Sequence, residues 1–198
     1  MKVIVVGLLC AIAIAGANGL KCGFTVDSRD YNAFANMTAG CTAATRQQVE
    51  EELKASIQYM AMGAHFLRDS INRPGFGKMF MHSATEEREH AMKLISYLLM
   101  RGELTKEVST LIKHNYPPAK RDWEDGLAAL KDALALEVEV TNKIRKLIEV
   151  CEKSDDVNDY HLVDYLTGEF LEEQYKGERE LAGRISTLNK MKSQHGTL

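Results

Sequence analysis

All three prolines of this 198-residue chain, Pro74, Pro117 and Pro118, fall between long stretches whose apolar residues recur at helical spacing. That punctuation limits the fold to a few long helices. The first stretch spans about 42–68, with Val49, Leu53, Met60 and Phe66 among its apolar positions. Arg73-Pro74-Gly75 breaks it, and Pro74 suits the first turn of the next helix. The second stretch runs to about residue 101, where Gly102 is a good terminator. Residues 103–121, with Tyr116-Pro117-Pro118, form a long connection. A third helix is expected over about 122–152, and a fourth from after Ser154-Asp155-Asp156 to about 192. Gly183 inside the fourth weakens its last turns by about 1 kcal/mol.

The connections set the topology. About nineteen residues reach roughly 60 Å when extended, whereas a helix of about twenty-six residues is roughly 39 Å long. The middle connection can therefore return along the whole bundle, leaving the second and third helices parallel. The expected fold class is all-α, a four-helix bundle with one long crossover.

Polar residues interrupt the apolar stripes of every helix. In Glu86-Glu87-Arg88-Glu89-His90, Glu87 and His90 stand three apart and emerge on one face. A carboxylate and an imidazole on the core side cost too much to bury unpaired. Glu52, Glu137 and Gln174 lie at matching depth on the other helices, and Leu130, Leu134, Val140 and Ile144 surround Glu137 at helical spacing. A carboxylate buried there needs a cation or a proton. Hard oxygen ligands with one imidazole suit iron or manganese, with open positions for oxygen chemistry. Glu87-x-x-His90 has no twin, since Glu173-Gln174 has no His after it. One metal position should be rich in ligands and the other poor.

The start of the chain carries different information. Lys2, an apolar run over 3–15 and Ala17-Asn18-Gly19 form a secretory signal pattern, with cleavage expected after residue 19. The domain reading is signal peptide 1–19, cysteine-containing extension 20–41 and a metal-site helical domain 42–198. Removing the signal loses Lys2 and no acid, so the formal charge moves from −3 to −4. That mild acidity excludes a nucleic-acid footprint. No later stretch is long and apolar enough to span a bilayer. Asn36-Met37-Thr38 is a glycosylation sequon. Cys10 leaves with the signal, so Cys22, Cys41 and Cys151 remain, an odd number for an oxidising compartment. A Cys22–Cys41 bond is expected, with Cys151 free or linked to another chain; the alternative is an inter-chain bond from Cys22 or Cys41.

The sequence closely resembles the ferritin family, in its secreted insect heavy-chain type. The resemblance is carried by Glu51-Glu52-Leu53-Lys54-Ala55-Ser56-x-x-Tyr59, Glu86-Glu87-Arg88-Glu89-His90-Ala91 and Asp122-Trp123-Glu124-Asp125-Gly126. His161-Leu162-Val163-Asp164-Tyr165-Leu166 and Leu171-Glu172-Glu173-Gln174 complete it, over about 42–192. The resemblance implies a ferroxidase acting on Fe(II) and dioxygen at a diiron centre that passes between Fe(II) and Fe(III). It implies Glu52, Glu87 and His90 as ligands of the first iron, Glu87 bridging. Glu137 is then the second iron's ligand, Gln174 its hydrogen-bonding neighbour, Tyr59 a nearby electron donor and Glu86 a carboxylate on the exit side. It further implies iron storage as a mineral in a shell of twenty-four subunits, shared with light-type chains, in the secretory pathway.

The match has departures. At the family's three-fold channel Asp164 matches, but Thr167 stands where a Glu is usual; on the inner surface Glu86 and Glu89 match, but Met92 replaces a third carboxylate. Typical members continue into a short fifth helix, whereas this sequence stops at Leu198, so the bundle is expected without it. His65, His82, His114, His161 and His195 read as surface or packing residues, with His161 close enough to Asp164 to meet passing iron. Trp123 reads as packing. Two rival readings have distinct signatures. A catalytically silent structural subunit oxidises iron slowly; a metal-free secreted helical binding bundle runs as a monomer and takes up no iron.

Overall fold

The computed structural model describes residues 37–103, 115–153 and 158–195. The signal segment, Cys22, the sequon residue Asn36 and His114 lie outside them. Helices α1 (Ala39–Leu67), α2 (Pro74–Met100) and α3 (Gly126–Glu152) are followed by a fourth rod. That rod comprises α4 (Tyr160–Tyr165), a π-helical segment (Leu166–Leu171) and α5 (Glu172–His195). Among the described residues no helix is long and apolar enough to cross a membrane.

Local chemistry fixes the ends. The Thr38 side chain accepts from the Cys41 amide (3.3 Å), Asp125 from Ala128 (2.7 Å) and Asp159 from Leu162 (3.2 Å). Each satisfies an amide that the first helical turn leaves open. These caps move two boundaries from those expected: α1 starts at Ala39 and α3 only at Gly126. Pro74 opens α2, and Gly102 leaves it at φ 74°, a conformation glycine adopts freely.

The described ends of the long connection are anchored at separate points of α1. Its start is held at one end of α1, where Arg46 Nη2 donates to the Glu103 carbonyl (2.6 Å). Its end is held further along the same helix, where the Gln58 side chain bonds both the carbonyl (2.9 Å) and the amide (3.2 Å) of Lys120. So α2 and α3 run parallel. Their starts meet so closely that a Cβ on Gly126 would stand 2.3 Å from Phe76 Cζ, so any larger residue there must displace that ring.

One expectation is overturned. Cys41 is bonded to Cys151, with Cα atoms 4.8 Å apart and 110 residues between them, rather than to Cys22. The reason is topological: α1 and α3 are antiparallel, which sets the start of one beside the end of the other. Cys151 is therefore not free.

The core divides into two apolar clusters. Val49, Leu94, Leu98, Val140, Ile144, Leu147, Leu162 and Phe170 belong to one. Tyr59, Met62, Phe66, Phe80, Trp123, Leu130 and Leu181 belong to the other. On α2 and α3 the interrupting polar residue falls where one cluster gives way to the other, Glu87 between Ala84 and Ala91 and Glu137 between Ala133 and Val140, while on α1 Glu52 lies within the first cluster between Val49 and Ala55.

Candidate metal centre

Three of these residues converge. Glu52 from α1, and Glu87 and His90 from α2, are all buried, Glu52 completely. His90 Nδ1 stands 3.9 Å from Glu52 Oε2 and 3.8 Å from Glu87 Oε2. One ligand atom from each residue lies within 4.8 Å of the others. Metal–ligand bonds of roughly 2.0–2.6 Å come close to reaching all three corners of such a triangle from its centre. These same three atoms, Glu52 Oε2, Glu87 Oε2 and His90 Nδ1, lack any hydrogen-bond partner in the protein. Buried polar atoms are almost always paired, so the trio is chemically complete only with a cation or protons. Its surroundings orient it. Gln48 Nε2 donates to Glu52 Oε1 (2.8 Å), and His90 Nε2 faces Glu173 Oε2 at 3.2 Å.

The facing wall comes from α3 and the fourth rod. Glu137 Oε1 receives a short hydrogen bond from the Tyr59 hydroxyl. The Thr141 hydroxyl sits 3.1 Å from Gln174 Oε1 and 2.6 Å from Glu178 Oε1. A cleft of about 220 Å³ opens between the walls, lined by Glu87, His90, Glu137 and Gln174, with Glu86 and Glu180 also on it. Glu86 is partly exposed there, 3.4 Å from His82.

The family model of the ferritin-like domain matches residues 42–191. The chain belongs to the ferritin family. It is 59% identical to a ferritin heavy chain of Papilio xuthus over 82% of this chain and 76% of that one. Its match to a ferritin heavy chain of Drosophila melanogaster is 50% identical and covers 100% of this chain and 95% of that one. Among solved structures it superposes on the secreted ferritin of Trichoplusia ni with a TM-score of 0.79 and 56% identity. That overlap covers 81% of this chain and 83% of the other.

In this ferritin-family chain the electrostatics follow the same division. Burial, then the nearby Glu137 carboxylate, pushes the Glu87 carboxyl up to about 8. Burial and then the Glu87 charge hold Glu52 well above the ordinary range. Without a cation the first wall therefore holds protons. Glu137 is also raised by burial, but hydrogen bonds from Tyr59 and Gln174 oppose that rise. Burial and the Glu137 charge push the Tyr59 phenol up, which keeps it a proton donor.

Of the site residues read from the sequence, Glu52, Glu87 and His90 meet at one position. Glu137 and Gln174 face them, Tyr59 ties α1 to Glu137, and Glu86 stands toward the opening. The sequence reading missed Gln48, Thr141, Glu173 and Glu178. Three had a usable signal: Gln48 precedes Glu52 by four, Thr141 follows Glu137 by four, and Glu178 follows Gln174 by four. Among the remaining histidines, His65 is buried against Phe66 (4.8 Å) and Trp123 (5.3 Å), which confirms both as packing residues. His161 is exposed and lies 2.9 Å from the Tyr97 hydroxyl.

Proposed function

We propose that this chain is a heavy-type ferritin subunit with ferroxidase activity, oxidising Fe(II) to Fe(III) with dioxygen at a diiron centre. The observation that carries the reading is the buried Glu52–Glu87–His90 trio, whose inward atoms have no other partner. Iron is the substrate. Glu52, Glu87 and His90 take the first Fe(II), with Glu87 placed to reach a second held by Glu137 beside Gln174. Tyr59, bonded to Glu137, is positioned to supply an electron, and Glu86 receives product on its way out. The two walls differ in strength for a reason: a product must leave, and a wall already satisfied by Tyr59 and Gln174 releases it more easily.

Fe(III) formed there hydrolyses, gives up protons and is stored as mineral inside a shell of such subunits, shared with light-type chains. Secretion guided by residues 1–19 fits the similarity to a structure described as a secreted ferritin. The Cys41–Cys151 bond also fits an oxidising compartment. The test is oxygen-dependent Fe(II) oxidation by the purified protein beside a Glu52→Ala/His90→Ala variant. The expected result is fast oxidation in the first and near-background oxidation in the second. Equal rates would remove the ferroxidase reading, and sizing the same sample reads out shell formation.

A further inference from the structure

A file of rings leads from His90 in the cleft, past two turns of α2, to the exposed His161. Ring centroids are separated by 5.5 Å from His90 to Phe170, 5.6 Å from Phe170 to Tyr165, 5.3 Å from Tyr165 to Tyr97 and 5.6 Å from Tyr97 to His161. The π-helical segment makes it possible. On a regular α-helix, at about 100° per residue, residues five apart diverge by about 140°. The π turn at Leu166–Leu171 brings Tyr165 and Phe170 into contact instead.

The outer end has the chemistry of a proton-coupled donor. The Tyr97 ring is buried while its hydroxyl meets two partners. Arg101 Nη1 donates to that oxygen (3.0 Å), and the hydroxyl faces His161 Nδ1 (2.9 Å), which accepts the phenol proton in the tautomer protonated at Nε2. Arg101 is in turn neutralised by Asp159 at 2.8 Å. Lys93 Nζ lies 5.8 Å from the Phe170 centroid, which makes that ring harder to oxidise and leaves it a bridge rather than a stopping point. Tyr97, Tyr165 and His161 line an open cleft of about 540 Å³, where Glu89 offers a carboxylate to an arriving cation.

We propose that Tyr165 and Tyr97 form a one-electron relay that discharges radical oxidants in the metal cleft, with Tyr97–His161 as its outer station. The proposal rests on the ferroxidase reading above. Its oxidant is of the hydroxyl-radical class, formed when Fe(II) reduces hydrogen peroxide. That radical takes one electron, arriving from Tyr97 through Tyr165 and Phe170, and becomes hydroxide. The Tyr97 O–H bond breaks, its proton passes to His161 Nδ1 and a neutral tyrosyl radical remains. An Fe(II) ion at the outer cleft then supplies one electron and becomes Fe(III), while His161 returns the proton. The net change is hydroxyl radical plus Fe(II) giving hydroxide plus Fe(III). Tyr59 belongs to a different path, because its hydroxyl is committed to Glu137.

The test is freeze-quench electron paramagnetic resonance on the full chain, grown with ring-deuterated tyrosine, after limiting Fe(II) and dioxygen. In a Tyr59→Phe background a tyrosyl signal is expected to persist. It should fall several-fold when Tyr97→Phe and Tyr165→Phe are added. It should fall similarly with Phe170→Leu, which keeps both tyrosines but breaks the file, with circular dichroism and melting confirming the fold of each variant. An unchanged signal in the folded tyrosine or Phe170 variants overturns the relay alone. Absence of Fe(III) formation in the unsubstituted chain overturns the ferroxidase reading and the relay with it.

Discussion

The two walls of the candidate metal cleft carry similar side chains in opposite states of satisfaction. On the α1–α2 wall, two carboxylates and an imidazole are buried with atoms that lack any hydrogen-bond partner in the protein. On the α3 and fourth-rod wall, Glu137 is held by Tyr59 and Gln174, and Gln174 meets Thr141. The same burial therefore has two outcomes. One wall stores electrostatic cost that a cation relieves; the other has already relieved most of it through hydrogen bonds. The lesson is that affinity is set by what a site lacks, as well as by the ligands it has.

The largest effect should come from breaking the wanting wall. Glu52→Gln is expected to weaken anaerobic Fe(II) binding by more than about 100-fold, beyond the loss typical when only an outer partner of a ligand is removed. Glu137→Gln, which removes the ligand of the weaker second position, should cost no more than the roughly 10–100-fold typical of losing a ligand's outer partner. Calorimetric titration without oxygen compares them. Equal losses would show that the walls are equivalent and that the difference in hydrogen bonding has no consequence for binding.

A titration sharpens the same contrast. In the metal-free protein Glu87 has a folded value of about 8 against an ordinary 4.5. Between those values the folded chain binds more protons than the unfolded one, so stability declines as pH rises through that window and is unaffected below it. Metal-free protein should melt at a lower temperature at pH 8 than at pH 5, and Glu87→Gln should flatten that slope. Scanning calorimetry at several pH values measures it. A variant as pH-dependent as the parent would place the burial cost elsewhere.

What the sequence disclosed was whatever obeys a local period. Helix positions followed from apolar spacing and punctuation, and Glu52, Glu87, His90, Glu137 and Gln174 were visible as polar residues inside apolar stripes. The boundaries at Ala39 and Gly126 slipped because single capping side chains, Thr38 and Asp125, decide them. Cys41–Cys151 was illegible for a different reason. Its partners are 110 residues apart and meet only through the antiparallel pairing of two helices, which no local pattern records. The π-helical segment was equally hidden, since Leu166–Leu171 reads as ordinary helix and its altered turn shows only in which rings meet.

The smallest expected effect tests whether the satisfied wall is held cooperatively. Thr141 is buried on α3 and reaches Gln174 and Glu178 on the fourth rod, so its hydroxyl orients Gln174 without facing the metal trio. Thr141→Val keeps the side chain's shape and removes only that hydroxyl. A neutral hydrogen bond is worth about 1 kcal/mol net, so metal affinity should fall about fivefold and the melting temperature only slightly. If Gln174 acts independently of its neighbours, Thr141→Val and Glu137→Gln will add when combined. If the wall works as one network, as the shared contacts of Tyr59, Glu137, Gln174 and Thr141 require, the double variant will lose less than the sum of the two, because each change already releases the same Gln174 amide.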